Sequence, residues 1–121
     1  MNITSTDRQA IRLVIEQQLL AFQQDDAEKA FSFASEDIQA KFVTPANFLH
    51  MVKVAYPAVY RPRAVMFESF VNGQSPIQEV FLLAPDGTLV KAIYLMHKQE
   101  SQGWRIDGCF LESDEELDLA M

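Results

Sequence analysis

The chain is poor in the features that build disulfide scaffolds, membrane spans and anion-binding surfaces. Cys109 is the one cysteine in 121 residues, so an intramolecular disulfide is impossible. No N-terminal stretch joins a basic start to an apolar run and a small-residue cleavage site, and together these two features fit a reducing cytoplasm. Long apolar runs are missing too. The longest, Val80–Ala84 and Ala92–Met96, fall far short of the roughly 20 residues that cross a bilayer as a helix. Glycine and proline are sparse, at four and five residues, which excludes collagen-like and low-complexity classes. Basic residues are in deficit: ten Lys and Arg face seventeen Asp and Glu, a formal charge of −7. Such a field repels phosphate backbones and anionic headgroups, so neither nucleic acid nor a membrane surface is an expected partner.

What is present describes a chain able to bury a core. Hydrophobic residues make up 49% and aromatic residues 11%, and the length suits one domain over residues 1–121. The acids are unevenly spread. Glu112, Asp114, Glu115, Glu116 and Asp118 fall within residues 112–121 with no base among them, so an acidic C-terminal tail follows a nearly neutral body. A tail of this kind is either a solvated terminus or a segment that docks on Arg or Lys of a neighbour.

The first half reads as helix and the second as strand. Ile11, Ile15, Leu19 and Phe22 recur at helical spacing behind a Thr6–Gln9 capping box, which predicts a helix over Asp7–Gln24. Asp25 or Asp26 caps a short second helix whose inner side holds Ala27, Ala30, Phe31 and Ala34. Ser35 restarts a turn or brief helix carrying Ile38 and Phe42. Thr44 and Pro45 then open a helix with Phe48, Met51, Val52 and Ala55, which Pro57 stops. Four runs rich in Val, Ile, Phe, Tyr and Leu follow, at Ala64–Val71, Ile77–Leu83, Leu89–Lys98 and Gly103–Leu111. Asn72-Gly73 predicts a tight hairpin, Pro85-Asp86-Gly87 a turn with left-handed glycine, and Gln99–Gly103 a polar loop. The expected fold is α+β, about three helices packed on a curved four-stranded antiparallel meander.

Side-chain alternation in these strands departs from that of a half-exposed sheet. Leu89, Ile93 and Leu95 take one side of the third strand and Val90, Ala92, Tyr94 and Met96 the other. The second strand sets Phe81 and Leu83 against Val80 and Leu82, and the first sets Val65, Phe67 and Val71 against Met66 and Phe70. Three short helices cover one face only. A second apolar face left wet would forgo several kcal/mol at about 25 cal/mol per Å², so a homodimer through the sheet face is expected, with folding back of the chain ends as the alternative.

Four stretches carry a resemblance: residues 21–35 (AFQQDDAEKAFSFAS), 48–67 (FLHMVKVAYPAVYRPRAVMF), 86–96 (DGTLVKAIYLM) and 103–111 (GWRIDGCFL). They resemble the bacterial family domain of unknown function 4864. The order of elements, with a helix ending in Tyr56-Pro57, resembles the cone of the nuclear transport factor 2-like (cystatin-like) superfamily. The resemblance implies that fold, a pocket between helices and sheet, and dimerisation through the sheet. It implies no activity, because no residue set matches the Asp, Tyr, Arg or His constellations of the superfamily's isomerases, hydrolases and cyclases.

Candidate chemistry is thin. Cys109 lies mid-strand with no local base and reads as a core thiol. His50 and His97 are the only histidines and have no ligand spacing, so no metal and no cofactor is expected. Asp107 follows Arg105 on the last strand and shares a face with Cys109 and Leu111 by strict alternation. In a pocket near Tyr94 or Tyr60 it becomes a general acid or base, with His97 a possible assistant; at a rim it is a partner of Arg105 or Arg63. Arg61 and Arg63 flank Pro62 and form either a clamp for a carboxylate or phosphate or an internal anchor for helix C-termini. Tyr56, Phe48 and Trp104 are candidate walls of an apolar cavity. Three readings follow. The first is a non-catalytic dimer that binds a small apolar or acidic ligand, or a protein partner. The second is a cofactor-free isomerase, dehydratase or hydrolase, and the third an adaptor that docks by its tail.

Overall fold

A computed structural model of the chain describes residues 3–101, 103–112 and 117–119. Five helical segments come first: α1 (Ser5–Gln23), α2 (Ala27–Ser32), α3 (Glu36–Phe42), α4 (Pro45–Ala55) and α5 (Pro57–Tyr60). Polar side chains set four of the starts. Thr4, rather than Thr6, caps α1, and its partner in a reciprocal box is Asp7. Asp26 accepts from the Lys29 amide, Ser35 from that of Ile38 and Thr44 from that of Asn47. Pro57 does stop α4, but it also sits in the first turn of α5, since the amide it lacks would be unpaired there. The chain between α3 and α4 turns through Val43 at φ 74° and ψ −49°, and the Thr44 amide reaches back to the Phe42 carbonyl at 2.9 Å. This is a γ-turn with positive φ, rare for a β-branched residue.

The sheet is antiparallel in the order β1-β2-β3-β4-β5, with β1 (Ala64–Val71), β2 (Ile77–Leu83), β3 (Leu89–Gln99), β4 (Gly103–Glu112) and a short β5 (Leu117–Leu119). The four predicted strands are there, and β5 is an addition within the acidic stretch; residues 113–116, 120 and 121 lie outside the described residues. Gly87 has φ 90° as its turn requires. Asn72-Gly73 departs from expectation: neither residue has positive φ, and Val71 pairs with Ile77, so residues 72–76 form a longer connection in place of a tight hairpin.

Two bulges revise the assignment of residues to faces. In β4, Ile106 pairs with Met96 and Gly108 with Leu95, which leaves Asp107 without a register partner. Trp104 and Ile106 are therefore buried before the bulge and Cys109 and Leu111 after it, and Asp107 does not share their face as strict alternation predicts. In β1, Glu68 and Ser69 stand opposite Glu79 alone. That shift brings Phe70 to the side of Val65 and Phe67, and Val71 to the side of Met66. The buried amide of Gln78 plugs the opening, donating to the carbonyls of Glu68 (3.2 Å) and Glu79 (2.9 Å).

The helices cover one face of the sheet. Ile11, Ile15 and Phe22 of α1, Phe31 of α2 and Phe48 and Val52 of α4 pack with Val80, Leu82, Ala92, Tyr94, Met96 and Ile106. Where α1 overhangs β1, Arg8 and Arg12 lie on the rings of Phe70 and Phe67 at 5.0 and 4.4 Å. The opposite face carries Ile77, Phe81, Leu83, Ile93, Leu95 and Phe110, all half-buried, with Lys91 and Glu79 paired among them at 3.8 Å. The helical and strand halves are joined by backbone hydrogen bonds, Ser35 N–H to Ile106 and Ile106 N–H to Phe33, each at 2.8 Å.

Candidate functional site

The helix break at Tyr56-Pro57 and the β2–β3 turn face each other and bound a cleft of about 370 Å³. Residues 55–58 form one wall, Ala84, Val90 and Leu111 the other, and Asp86 and Thr88 stand at the rim. Local chemistry shapes both sides. Pro57 swings α5 away from the axis of α4, and alanines at 55, 58 and 84 keep the walls thin. The turn is held by the Gly87 N–H to Ala84 at 2.9 Å, the Ala84 N–H to Thr88 at 2.8 Å, and the Thr88 N–H to the Asp86 carboxylate at 2.9 Å. That last bond holds the Asp86 carboxyl below its ordinary range.

A second, polar groove of about 200 Å³ lies at the other end of β3, lined by Ser35, Glu36, Asp37, His97, Gln99 and Asp107. The bulge makes it. Freed from the ladder, Asp107 accepts the Ser35 hydroxyl at 2.6 Å, while Gln99 accepts the Glu36 amide at 3.0 Å.

The predicted site residues are dispersed. Tyr56 lines the cleft. Phe48 is wholly buried in an aromatic cluster, 5.4–5.7 Å from the ring centres of Phe22, Phe31 and Phe42. Trp104 is buried, and its indole N–H donates to Asp7 at 3.2 Å. Arg61 donates to the Gln23 carbonyl at 3.0 Å and pairs with Asp25 at 3.2 Å, so it anchors the C-terminus of α1. Arg63 is exposed where the chain enters β1, and its backbone N–H bonds Leu83 at 2.7 Å. Tyr60 donates its hydroxyl to Asp25. Tyr94 is fully buried beside the Cys109 thiol, and its hydroxyl has no hydrogen-bonding nitrogen or oxygen among the described residues. Burial pushes Tyr94 well above its ordinary pKa and Cys109 up to about 12, so both keep their protons at neutral pH. Asp107 and His97 alone of the acid–base candidates share a site. Among the described residues no group of three or more His, Cys, Asp or Glu is placed to hold a metal ion, and no helix is long and apolar enough to cross a membrane.

Most of the cleft went unread in the sequence. Its two signals, Tyr56-Pro57 and Pro85-Asp86-Gly87, are visible as chain breaks, but their meeting is a tertiary fact.

Comparison with known proteins gives one finding. Residues 4–119 match the model of the family described as Domain of unknown function (DUF4864). The chain belongs to that family. In this domain of unknown function 4864 protein the match runs from the cap of α1 to the end of β5. No curated protein and no solved structure matches the chain.

Proposed function

We propose that this protein is a non-catalytic, cytoplasmic binding module with the nuclear transport factor 2-like cone, that its cleft takes a small, largely apolar molecule, and that the outer sheet face docks a second copy. The observation that carries the reading is the cleft itself: about 370 Å³, within the range of small-molecule sites of roughly 300–1,000 Å³, with apolar walls and few polar groups at the rim. The acid–base candidates lie elsewhere. Tyr94 is sealed and Tyr60 is committed to Asp25. Arg61 is likewise committed, which favours an apolar ligand over an acidic one. Helices on one face of a meander support the cone, and the half-buried apolar side chains of the other face support the dimer.

The test is a thermal-shift screen of apolar metabolites against the wild-type chain and Thr88→Trp, which fills the rim from an exposed position. A compound that raises Tm in the first and not in the second supports the reading; equal shifts overturn it. Sedimentation at dilute concentration is expected to give twice the 13.8 kDa chain mass, and a single-chain particle overturns the dimer.

A second reading, a cofactor-free isomerase, dehydratase or hydrolase, is favoured by the polar groove, which both His97 and Asp107 line. Asp107→Asn then abolishes turnover of a substrate found by activity screening while Tm holds; full turnover discards this reading.

A further inference from the structure

We propose that the molecule bound in the cleft is an amine: an alkyl or arylalkyl ammonium whose apolar body lies between the walls while its cation meets Asp86. The inference rests on the cleft reading above and names its ligand class.

Charge complementarity carries it. Asp86 is the single charged side chain among the described lining residues; the others are Ala, Pro, Tyr, Thr, Val and Leu, with no Lys, Arg or His among them. A carboxylate ligand entering this space would lose water and gain no counter-ion, at a cost no apolar wall offsets. An ammonium finds one. The Asp86 carboxylate is already oriented, because one of its oxygens accepts the Thr88 amide at 2.9 Å, so meeting a cation requires little further ordering. Tyr56 is the one aromatic residue among the described lining residues, and aromatic faces attract cations.

Beyond the lining the charges are mixed: Lys53 and Arg63 are exposed near Ala55 and Ala84, and an acid lies by Leu111. Leu111 of the cleft wall is followed by Glu112, which is exposed. The whole chain carries −7. Arg61, the basic residue nearest in sequence to the helical wall after Lys53, is spent on Gln23 and Asp25. The hydrogen bond from Thr88 also holds the Asp86 carboxyl low, so it is ionised at neutral pH.

Three probes of one shape separate the alternatives: phenethylamine, 2-phenylethanol and phenylacetate, titrated into the full chain and followed by calorimetry or amide chemical shifts. Phenethylamine is expected to bind about fivefold more tightly than the alcohol, the scale of an exposed ion pair, and phenylacetate the most weakly. Asp86→Asn keeps a side-chain oxygen for the Thr88 amide, so the turn survives. In that variant amine and alcohol are expected to bind equally, with the alcohol unchanged from wild type. Phenylacetate matching the amine, or an amine preference that persists in Asp86→Asn, overturns the proposal. Equal binding of amine and alcohol to wild type overturns it too, yet leaves the cleft as an apolar site. Failure of all three to bind overturns both this inference and the reading beneath it.

Discussion

Along β3, Val90, Ala92, Tyr94 and Met96 alternate on one backbone with Lys91, Ile93 and Leu95, yet the first set is buried on the helix side and the second is half-covered. The two faces are close in hydrophobicity and differ in what lies over them. On the inner face, α1 and α4 supply Ile11, Ile15, Phe22, Phe48 and Val52 to the same core cluster as the strand residues. On the outer face the neighbours are other strand side chains and one ion pair, Lys91 with Glu79. Apolar character therefore says that a surface is to be covered, and only the supply of covering elements says by what.

The largest effect expected from breaking this contrast comes from paired truncations. Ile106→Ala on the inner face opens a cavity among fully buried neighbours and is expected to lower unfolding free energy by about 2–5 kcal/mol in urea. Ile93→Ala on the outer face is expected to cost under half as much, and the proposed dimer through that face makes the loss concentration-dependent. Equal, concentration-independent losses at the two sites would show that the faces do not differ in their partners.

A smaller effect sharpens the inner face. The Tyr94 hydroxyl is buried without a nitrogen or oxygen partner among the described residues and meets only the Cys109 thiol, a weak partner, so Tyr94→Phe removes a poorly compensated polar group. Stability is expected to hold or to rise by about 1 kcal/mol, and a clear fall in Tm would reveal a bond the hydroxyl makes.

The smallest effect is at the rim of the inner face, where Asp7 accepts from Thr4 and from the Trp104 indole and lies 3.6 Å from Lys98. Chiefly through the Thr4 amide, its carboxyl is held below the ordinary value of 3.8. A depressed folded-state value means the contribution is present above that ordinary value and is lost as pH falls through the lowered one. Melting curves between neutral pH and strong acid are expected to show a shallower decline for Asp7→Asn than for wild type, and identical slopes would remove Asp7 from the acid response.

The strands were legible because their signals are local. Alternation and the Pro85-Asp86-Gly87 turn mark β1 to β4 within a residue of their ends, and Ser35, Thr44 and Pro45 announce α3 and α4. The bulges were not, because one unpaired residue shows in a sequence only as a break in alternation, and Asp107 reads equally well as an inward acid. Gly108 was the overlooked hint: a Cβ there would come within 3.3 Å of Leu95 across the ladder. The helix α5 was hidden by Pro57, which stops one helix and starts the next. Arg61 was legible as either hook or anchor; the choice depended on Asp25, thirty-six positions away, whose left-handed backbone leaves the capping of α2 to Asp26.

The bond between Asp7 and the Trp104 indole joins residues 97 positions apart. At synthesis rates of about 5–20 residues per second, roughly 5–20 seconds pass between the emergence of the first partner and that of the last. During that interval β1 to β3 are made in turn, and the sheet on which the apolar stripe of the first helix lies stays incomplete until β4 follows. The final seating of α1 is therefore a long-range event, and it follows the closing of its own local turns and caps.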